Sequence, residues 1–371
     1  MKFTCEKAFL QNATTIASHA AAAKSPIPAL EGLLIDAGSG VTISGFDLKT
    51  GIITNFDAEV IEPGSTVLNA RLFGDIIRKL PDDVVVMETD DKNLVHITCG
   101  SCDFNIMGMP SNEYPELPTF EITGSISISQ KTIRSMISQT SFAISNNEAR
   151  PIHTGALLET TNGSLTMVAV DGYRLALRKE KIGEDQPVGL KFVVPGSALA
   201  EIEKISSDSD DPVRIALGNK HIMFTIGTTV LISRRLEGEF LNYKNAITVG
   251  SKYHIECAKK DIITAVERVS LIISDKQKSP VHFIFRDNML EVSSSTPLGK
   301  AVDFCTTRGD GEGLEIGFNN SYILDALKAA PSEKMVVQLS SGVSPCIMTP
   351  VDGGDSFLYM ILPVRLRANE G

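Results

Sequence analysis

The stretch "HTGALLETTNGSLTMVAVDGYRLA", residues 153–176, decides how the chain folds. Apolar runs at 156–158 and 165–170 flank an Asn162-Gly163 pair, and a third run starts at Leu175, just after Asp171-Gly172. Such pairs between apolar runs are favoured tight turns, because Gly accepts positive φ and Asn or Asp bonds to neighbouring amides. The stretch therefore reads as a hairpin with a further strand, and the trailing "RKEK" (178–181) reads as its solvated exit.

The same pattern stands twice more, as "LEGLLIDAGSGVTISGFDL" (30–48) and "VHFIFRDNMLEVSSSTPLG" (281–299). Ahead of the three hairpins lie "FTCEKAFLQNATTIAS" (3–18), "ISISQKTIRSMISQTSFAIS" (126–145) and "YHIECAKKDIITAVERVSLIIS" (253–274). Each of these is a short alternating strand followed by an amphipathic helix. Behind the hairpins, at 67–107, 192–233 and 316–362, a strand leads into a helix, a polar loop and a meander. Ala70, Pro195 and Asn319 mark that strand-to-helix step at a nearly constant period of about 125 residues, the mark of an internal repeat. The fold class is α+β: three repeated modules, each with two helices packed on antiparallel sheets of roughly eight short strands in all. The boundaries fall at 1–124, 125–250 and 251–371.

The 371 residues are 43% hydrophobic and 22% charged, the composition of folded domains. No apolar run approaches the roughly 18 residues of a membrane span, and "MKFT" does not open a signal peptide, so the expected place is the cytoplasm, with no membrane partner. Cys99 and Cys102 have CxxC spacing but no second pair. They read as buried or turn thiols, with a metal or redox pair as the lesser alternative. The six histidines are scattered, and no phosphate loop, nucleophile elbow or zinc helix is present. Asp171 and Arg174 could serve as base and electrostatic partner, yet no nucleophile adjoins them. "SDSDDP" (207–212) resembles half a calcium loop without its Gly and its late Glu, and reads as a solvated loop. No cofactor or metal is expected. The net charge is −10, while the six module helices sum to a positive charge, an arrangement suited to a polyanion enclosed without a tight grip.

The "MKFT" start, "DGYRLA", "NNSYILDAL" and "YMILPVRL", in this order and across three modules, resemble the bacterial β sliding clamp family, the processivity subunit of DNA polymerase III. The resemblance covers essentially the whole chain. It implies a non-catalytic ring, a head-to-tail homodimer with helices lining a hole for double-stranded DNA of any sequence. Implied partners are the DNA polymerase III alpha subunit, the clamp loader, and other polymerases and repair proteins that dock through short peptide motifs. The resemblance points Lys24 and Arg150 at DNA from loops, and Arg71, Lys131, Arg134 and Lys260 from helices; each could equally be an ordinary surface charge. It places a partner-peptide cleft at His153, Val170, Gly172, Tyr173, Arg174, Leu175 and Leu241 on one side. Asn319, Tyr322, Val343, Met360, Ile361, Leu362, Pro363, Val364 and Arg365 form the other, although Val170, Leu175 and Leu362 could instead fill the domain interior. It puts the dimer interface at Phe104, Ile272 and Ile273, where domain core is the alternative. Leu241 stands where the family commonly has Pro, Leu362 where it often has Met, and "RANEG" runs past the usual ending. A monomeric peptide-binding adaptor, or an enzyme whose site is assembled from distant residues, would be the other readings of the same repeat.

Overall fold

The computed structural model describes residues 1–247, 250–274 and 279–365. The helices are α1 (Lys7–Ser18), α2 (Ala70–Lys79), α3 (Gln130–Ser138), α4 (Gly196–Ile205), α5 (Tyr243–Ile247), α6 (Lys259–Ser270) and α7 (Asn320–Ala329). Three modules follow one plan. The strands Lys2–Glu6, Gly124–Ser129 and Tyr253–Ala258 run directly into α1, α3 and α6, as the repeat predicts. Leu10, Ala13 and Ala17 of α1, Ile133, Met136 and Ile137 of α3, and Ile262, Ala265, Val266 and Val269 of α6 are buried. These spacings of three and four make one apolar stripe per helix, turned toward a sheet.

The repeat reaches down to single hydrogen bonds. A helix leaves its first N–H groups without partners inside the helix. Here the loop after each module's second helix supplies the acceptor. The Lys7 N–H donates to the Asp83 carbonyl at 3.1 Å, Lys131 to Ser209 at 3.0 Å and Lys259 to Glu333 at 2.8 Å. The same three lysines tie down their loops by side chain: Lys7 bonds Asp82 at 2.8 Å, Lys131 bonds Asp210 at 2.7 Å, and Lys259 donates to the Ala330 carbonyl at 2.8 Å. Second helices begin where predicted. Asn69 and Asn319 cap α2 and α7, each Oδ1 accepting a backbone N–H at 3.0 Å, whereas Pro195 closes the strand ahead of α4.

The chain forms two compact units, Met1–Ile133 with Ala200–Arg235, and Arg134–Leu199 with the chain from Leu236 onward. The first holds a five-stranded and an eight-stranded antiparallel sheet; the second holds a twelve-stranded one. Two pairings between distant strands build the larger sheets. Thr50–Phe56 pairs with Thr229–Arg234 in the first unit, and Arg174–Lys181 pairs with Phe357–Ile361 in the second. The Asn162-Gly163 hairpin forms as expected, with Thr161 opposite Ser164. Cys99 and Cys102 face each other across the turn at Gly100, and both are free thiols. The "RKEK" expectation needs correction. Arg178 is only 11% exposed, ion-paired with Glu180 and donating to the Ser356 carbonyl, and Lys179 pairs with Asp355, because the strand is central in its sheet rather than a free exit.

Gly155 opens its hairpin where the strand Lys191–Pro195 passes close by. A Cβ there would lie 2.1 Å from the Val194 carbonyl oxygen. Gly32 meets the corresponding strand of the first module in the same way, with Val67 and Leu68 in its path. Gly155→Ala should therefore cost about 2 kcal/mol by overpacking against backbone that cannot swing aside, read as a lower urea midpoint at unchanged slope.

Candidate functional site

The motif Asp171-Gly172-Tyr173-Arg174 makes a four-residue turn between the strands Ser164–Val170 and Arg174–Lys181. Asp171 shapes it. Its Oδ1 accepts the Tyr173 and Arg174 N–H groups at 2.9 and 3.0 Å, and Gly172 takes φ +93, a conformation that favours glycine. The turn thus pushes Tyr173 outward, 62% exposed, and turns Arg174 inward.

Arg174 is engaged within the chain. Its Nε bonds Asp171 Oδ2 at 2.8 Å and its Nη1 bonds Asp325 Oδ2 of α7 at 2.6 Å. Its guanidinium lies 4.4 Å from the Tyr322 ring centroid and 5.4 Å from that of Phe142. A planar fork that bonds two carboxylates while its face covers a ring is a role lysine could not fill. Around it, the Leu362 N–H donates to the Tyr173 carbonyl and the Val364 N–H to the Gly317 carbonyl, both at 2.8 Å. The turn, α7 and the last strand are locked together, and burial raises the Tyr322 phenol above its ordinary range, helped by the nearby Asp171.

Below this lip the sheet offers an apolar face. Val170 pairs with Leu175 and Leu175 with Met360, so these residues share one row. They belong to a buried cluster with Leu157, Val168, Ile347, Phe240 and Tyr243. Val170 and Leu175 are therefore both the floor of the cleft and domain interior. Ile361, on the opposite face, is fully buried core. Met360 is buried, Leu362 and Pro363 are half-buried, and Gly172, Leu241, Val343, Val364 and Arg365 are exposed. Asn319 spends its side chain as the α7 cap, accepting from both the N–H and the hydroxyl of Ser321. His153 stacks edge-on against Phe240 at 5.5 Å, and burial together with Arg150 lowers its pKa below the usual histidine value. Ala246, which the family resemblance sets with Asn245 at the edge of the cleft, packs against this cluster; Phe240 belongs to it and escapes the sequence reading, since "FLNYKNAI" lacks a helical apolar period. The tail from Leu366 on, with its "RANEG", lies outside the described residues.

The expected DNA-facing cations are all on the surface. Lys24 lies beyond α1, Arg71 in the first turn of α2, Arg134 on α3, Arg150 before the turn Pro151–His153, and Lys260 in the first turn of α6. Lys131 is exposed too, but its ion pair with Asp210 raises its pKa and matches the ties of Lys7 and Lys259, which account for it structurally. Arg71 also borders a cavity of about 660 Å³ with Arg78 and His19, and His19 pairs with Glu201. Phe104 sits half-buried against the first module's core, in the edge strand Cys102–Met107. Ile272 and Ile273 follow α6, half-buried, beside Leu271, which is 84% exposed.

Removing the Arg174 guanidinium leaves Asp171, 13% exposed, without its cation. Arg174→Ala should cost about 3 kcal/mol, the scale of breaking one partner out of a mostly buried pair, seen as a lower denaturant midpoint.

Comparison with known proteins bears on this geometry. Family models for the N-terminal, central and C-terminal domains of the DNA polymerase III beta subunit match residues 1–118, 127–242 and 244–365. The beta sliding clamp of Bacillus subtilis is 33% identical over 378 residues, covering 98% of this chain and 100% of that protein. The beta sliding clamp of Staphylococcus epidermidis is 32% identical over 376 residues, covering 98% and 99%. The solved structure of the Bacillus subtilis clamp superposes with a TM-score of 0.94 at 32% identity, over 99% and 100% of the two chains. A Pseudomonas aeruginosa clamp solved bound to griselimycin gives 0.93 at 26% identity, over 99% and 100%. With three domains matched in order and full-length relatives above 30% identity, the chain belongs to the DNA polymerase III beta subunit family, the beta sliding clamps.

Proposed function

We propose that two copies of this chain close head to tail around duplex DNA, and that partner proteins dock short peptides in the cleft beneath Tyr173. As a beta sliding clamp the chain is a non-catalytic processivity factor of the replicative polymerase; the adaptor and enzyme readings are not favoured by that membership. The proposed domain limits are 1–124, 125–250 and 251–371, and the proposed place of action is the cytoplasm.

One observation supports the ring: each unit carries a strand with a stretch of edge left unpaired among the described residues. Cys102–Met107 is the last strand of the five-stranded sheet, and Met107 is 69% exposed. In the other unit, Gly299–Arg308 meets Tyr253–Ala258 only through Thr307 and Arg308, so its earlier residues lack a neighbour on that side among the described residues. Val302 and Phe304 are exposed there, and Leu298 just before it is 78% exposed. An open edge carrying apolar side chains is a template for another chain. Pairing one edge type with the other is a heterologous contact, and it closes a ring when the rotation allows. Phe104, with Ile272 and Ile273, would pack beside the joined edges.

A closed ring holds DNA by topology, which lets a chain of net charge −10 stay on a polyanion. Lys24, Arg71, Arg134, Arg150 and Lys260 are the proposed sequence-independent phosphate contacts, with Lys131 the weakest of the set. The cleft would receive the alpha subunit of DNA polymerase III, the clamp loader, and other polymerases and repair proteins. Apolar walls with Met360 adapt to different anchors.

Loaded by a clamp loader onto nicked circular DNA, the protein should survive a high-salt wash and slide off once the circle is cut. Val302→Glu with Phe304→Glu should give a monomer by sedimentation and no salt-stable retention; an unchanged dimer would sink the edge assignment. Tyr173→Ala with Leu362→Ala should weaken binding to the polymerase alpha subunit more than tenfold, the loss of two apolar anchors, while retention on circles stays intact; equal affinity would remove the cleft assignment.

A further inference from the structure

We propose that Cys99 and Cys102 are a modification site, where a peroxide joins the two thiols in a reversible disulfide across the turn at Gly100. Clamping DNA makes no use of this CxxC spacing, and the proposal stands apart from the ring and cleft readings. Cys99 ends the strand Leu94–Cys99, Cys102 opens the strand Cys102–Met107, and the two are directly opposite in register. Residues so paired share one face of the sheet, with Cα atoms about 4.5–5.5 Å apart. A disulfide spans roughly 4.4–6.8 Å between Cα atoms, so no backbone movement is needed to bring the pair into range. Gly100 and Ser101 alone link them, and Gly100 takes φ +56, as a tight hairpin turn requires.

Among the described residues no other two cysteines are register partners. Cys5 faces Val85, Cys257 faces Thr307 and Met335, Cys305 faces Leu290, and Cys346 faces Ile361. Cys5 shares the row through Val85, yet the strand spacing sets it about 10 Å from Cys99 and about 14 Å from Cys102, beyond reach.

Unequal surroundings assign the roles. Cys102 is the one cysteine of the chain that is not buried. The Cys99 thiol is 1% exposed and donates to the Pro81 carbonyl at 3.4 Å; burial, with Asp83 and Cys102 nearby, pushes its ionisation up. A dissolved oxidant therefore meets Cys102 first. The ionised Cys102 sulfur attacks the peroxide: an S–O bond forms, the O–O bond breaks, and the departing hydroxide takes up the thiol's proton as water, leaving a sulfenic acid. The Cys99 sulfur then attacks that of Cys102. The S–S bond forms, the S–O bond breaks, and hydroxide leaves with the Cys99 proton as a second water. Two thiols and one hydrogen peroxide thus give one disulfide and two waters, with two electrons passing from sulfur to peroxide oxygen. Burial keeps solvent oxidants from Cys99 but not its neighbour across the turn. Strand side chains stand roughly perpendicular to their sheet, so a chain added along the edge Cys102–Met107 would not come between the sulfurs. In a reducing compartment the bond is transient, since thiol exchange reverses it.

The full-length protein is treated with hydrogen peroxide, alkylated in denaturant without reduction, digested, and its peptides weighed by mass spectrometry. The peptide carrying Cys99 and Cys102 should lose two hydrogen atoms, escape alkylation at both positions, and regain both thiols with dithiothreitol. Cys5, Cys257, Cys305 and Cys346 should stay alkylatable. Cys102→Ser should abolish the loss and leave Cys99 a thiol, whereas Cys99→Ser should leave a Cys102 sulfenic acid that dimedone traps. Both thiols surviving in the unmodified protein would overturn the proposal, whatever the variants do. So would oxidation spread evenly over all six cysteines, a bond that joins two copies of the chain, or a Cys102→Ser variant in which Cys99 is still consumed.

Discussion

The pairing of Arg174–Lys181 with Phe357–Ile361 is the constraint on which the rest of the second unit depends. It joins the sheet of the hairpin 155–170 to that of the last module, and its register sets Leu175 against Met360 and Leu177 against Leu358. A slip of one residue would turn this apolar row to the opposite face, so the pairing and the cleft floor are one fact. Backbone bonds alone do not choose the register. The turn sets the first strand, where Asp171 gathers two N–H groups and Gly172 accepts positive φ, and the Leu362 N–H, donating to the Tyr173 carbonyl, ties the last strand to it. The Arg174 ion network that fixes the strand entry also carries α7 to the cleft.

Charge in this molecule serves architecture before it serves recognition. Lys7, Lys131 and Lys259 stand in the first turns of their helices, where the macrodipole disfavours a cation. Each is compensated by an oxygen of the loop it ties down, so three modules of low mutual identity share one device. Lys260 and Arg134, exposed beside them, make no such tie among the described residues.

The repeat was legible because periodicity and turn chemistry are local. Asn162-Gly163, the alternating openings and the Asn caps before α2 and α7 all lie within a few residues of what they shape. What the sequence conceals is long-range. Nothing near Arg174 announces Asp325, and nothing in "RKEK" reveals a strand packed between neighbours with Arg178 nearly buried. Helix α5 is only five residues long, too short for a period, so Phe240 just before it went unread, though it belongs to the buried cluster beneath the turn. The exposure of Met107 goes with a strand that ends its sheet, and that of Val302 and Phe304 with a strand paired along only part of one side, both properties of topology. Motif resemblance located the cleft lining as a set, but could not divide it into floor, lip and cap. Asn319 serves the helix, Val170 and Leu175 serve the core, and Tyr173 faces outward.

That division bears on how such a cleft can bind. Most of its apolar floor is out of water before any partner arrives, with Val170 and Leu175 at 2% and 1% exposure. The floor therefore has little surface of its own left to bury, whereas Tyr173 and Leu241 at the lip are 62% and 46% exposed. A tyrosine held on a turn that Asp171 and Arg174 have already ordered loses little freedom on binding, and affinity then comes from preorganisation as well as area. The clamp of Arg174 on Asp171 and Asp325 holds that turn to α7, so the lip stands on an ordered base.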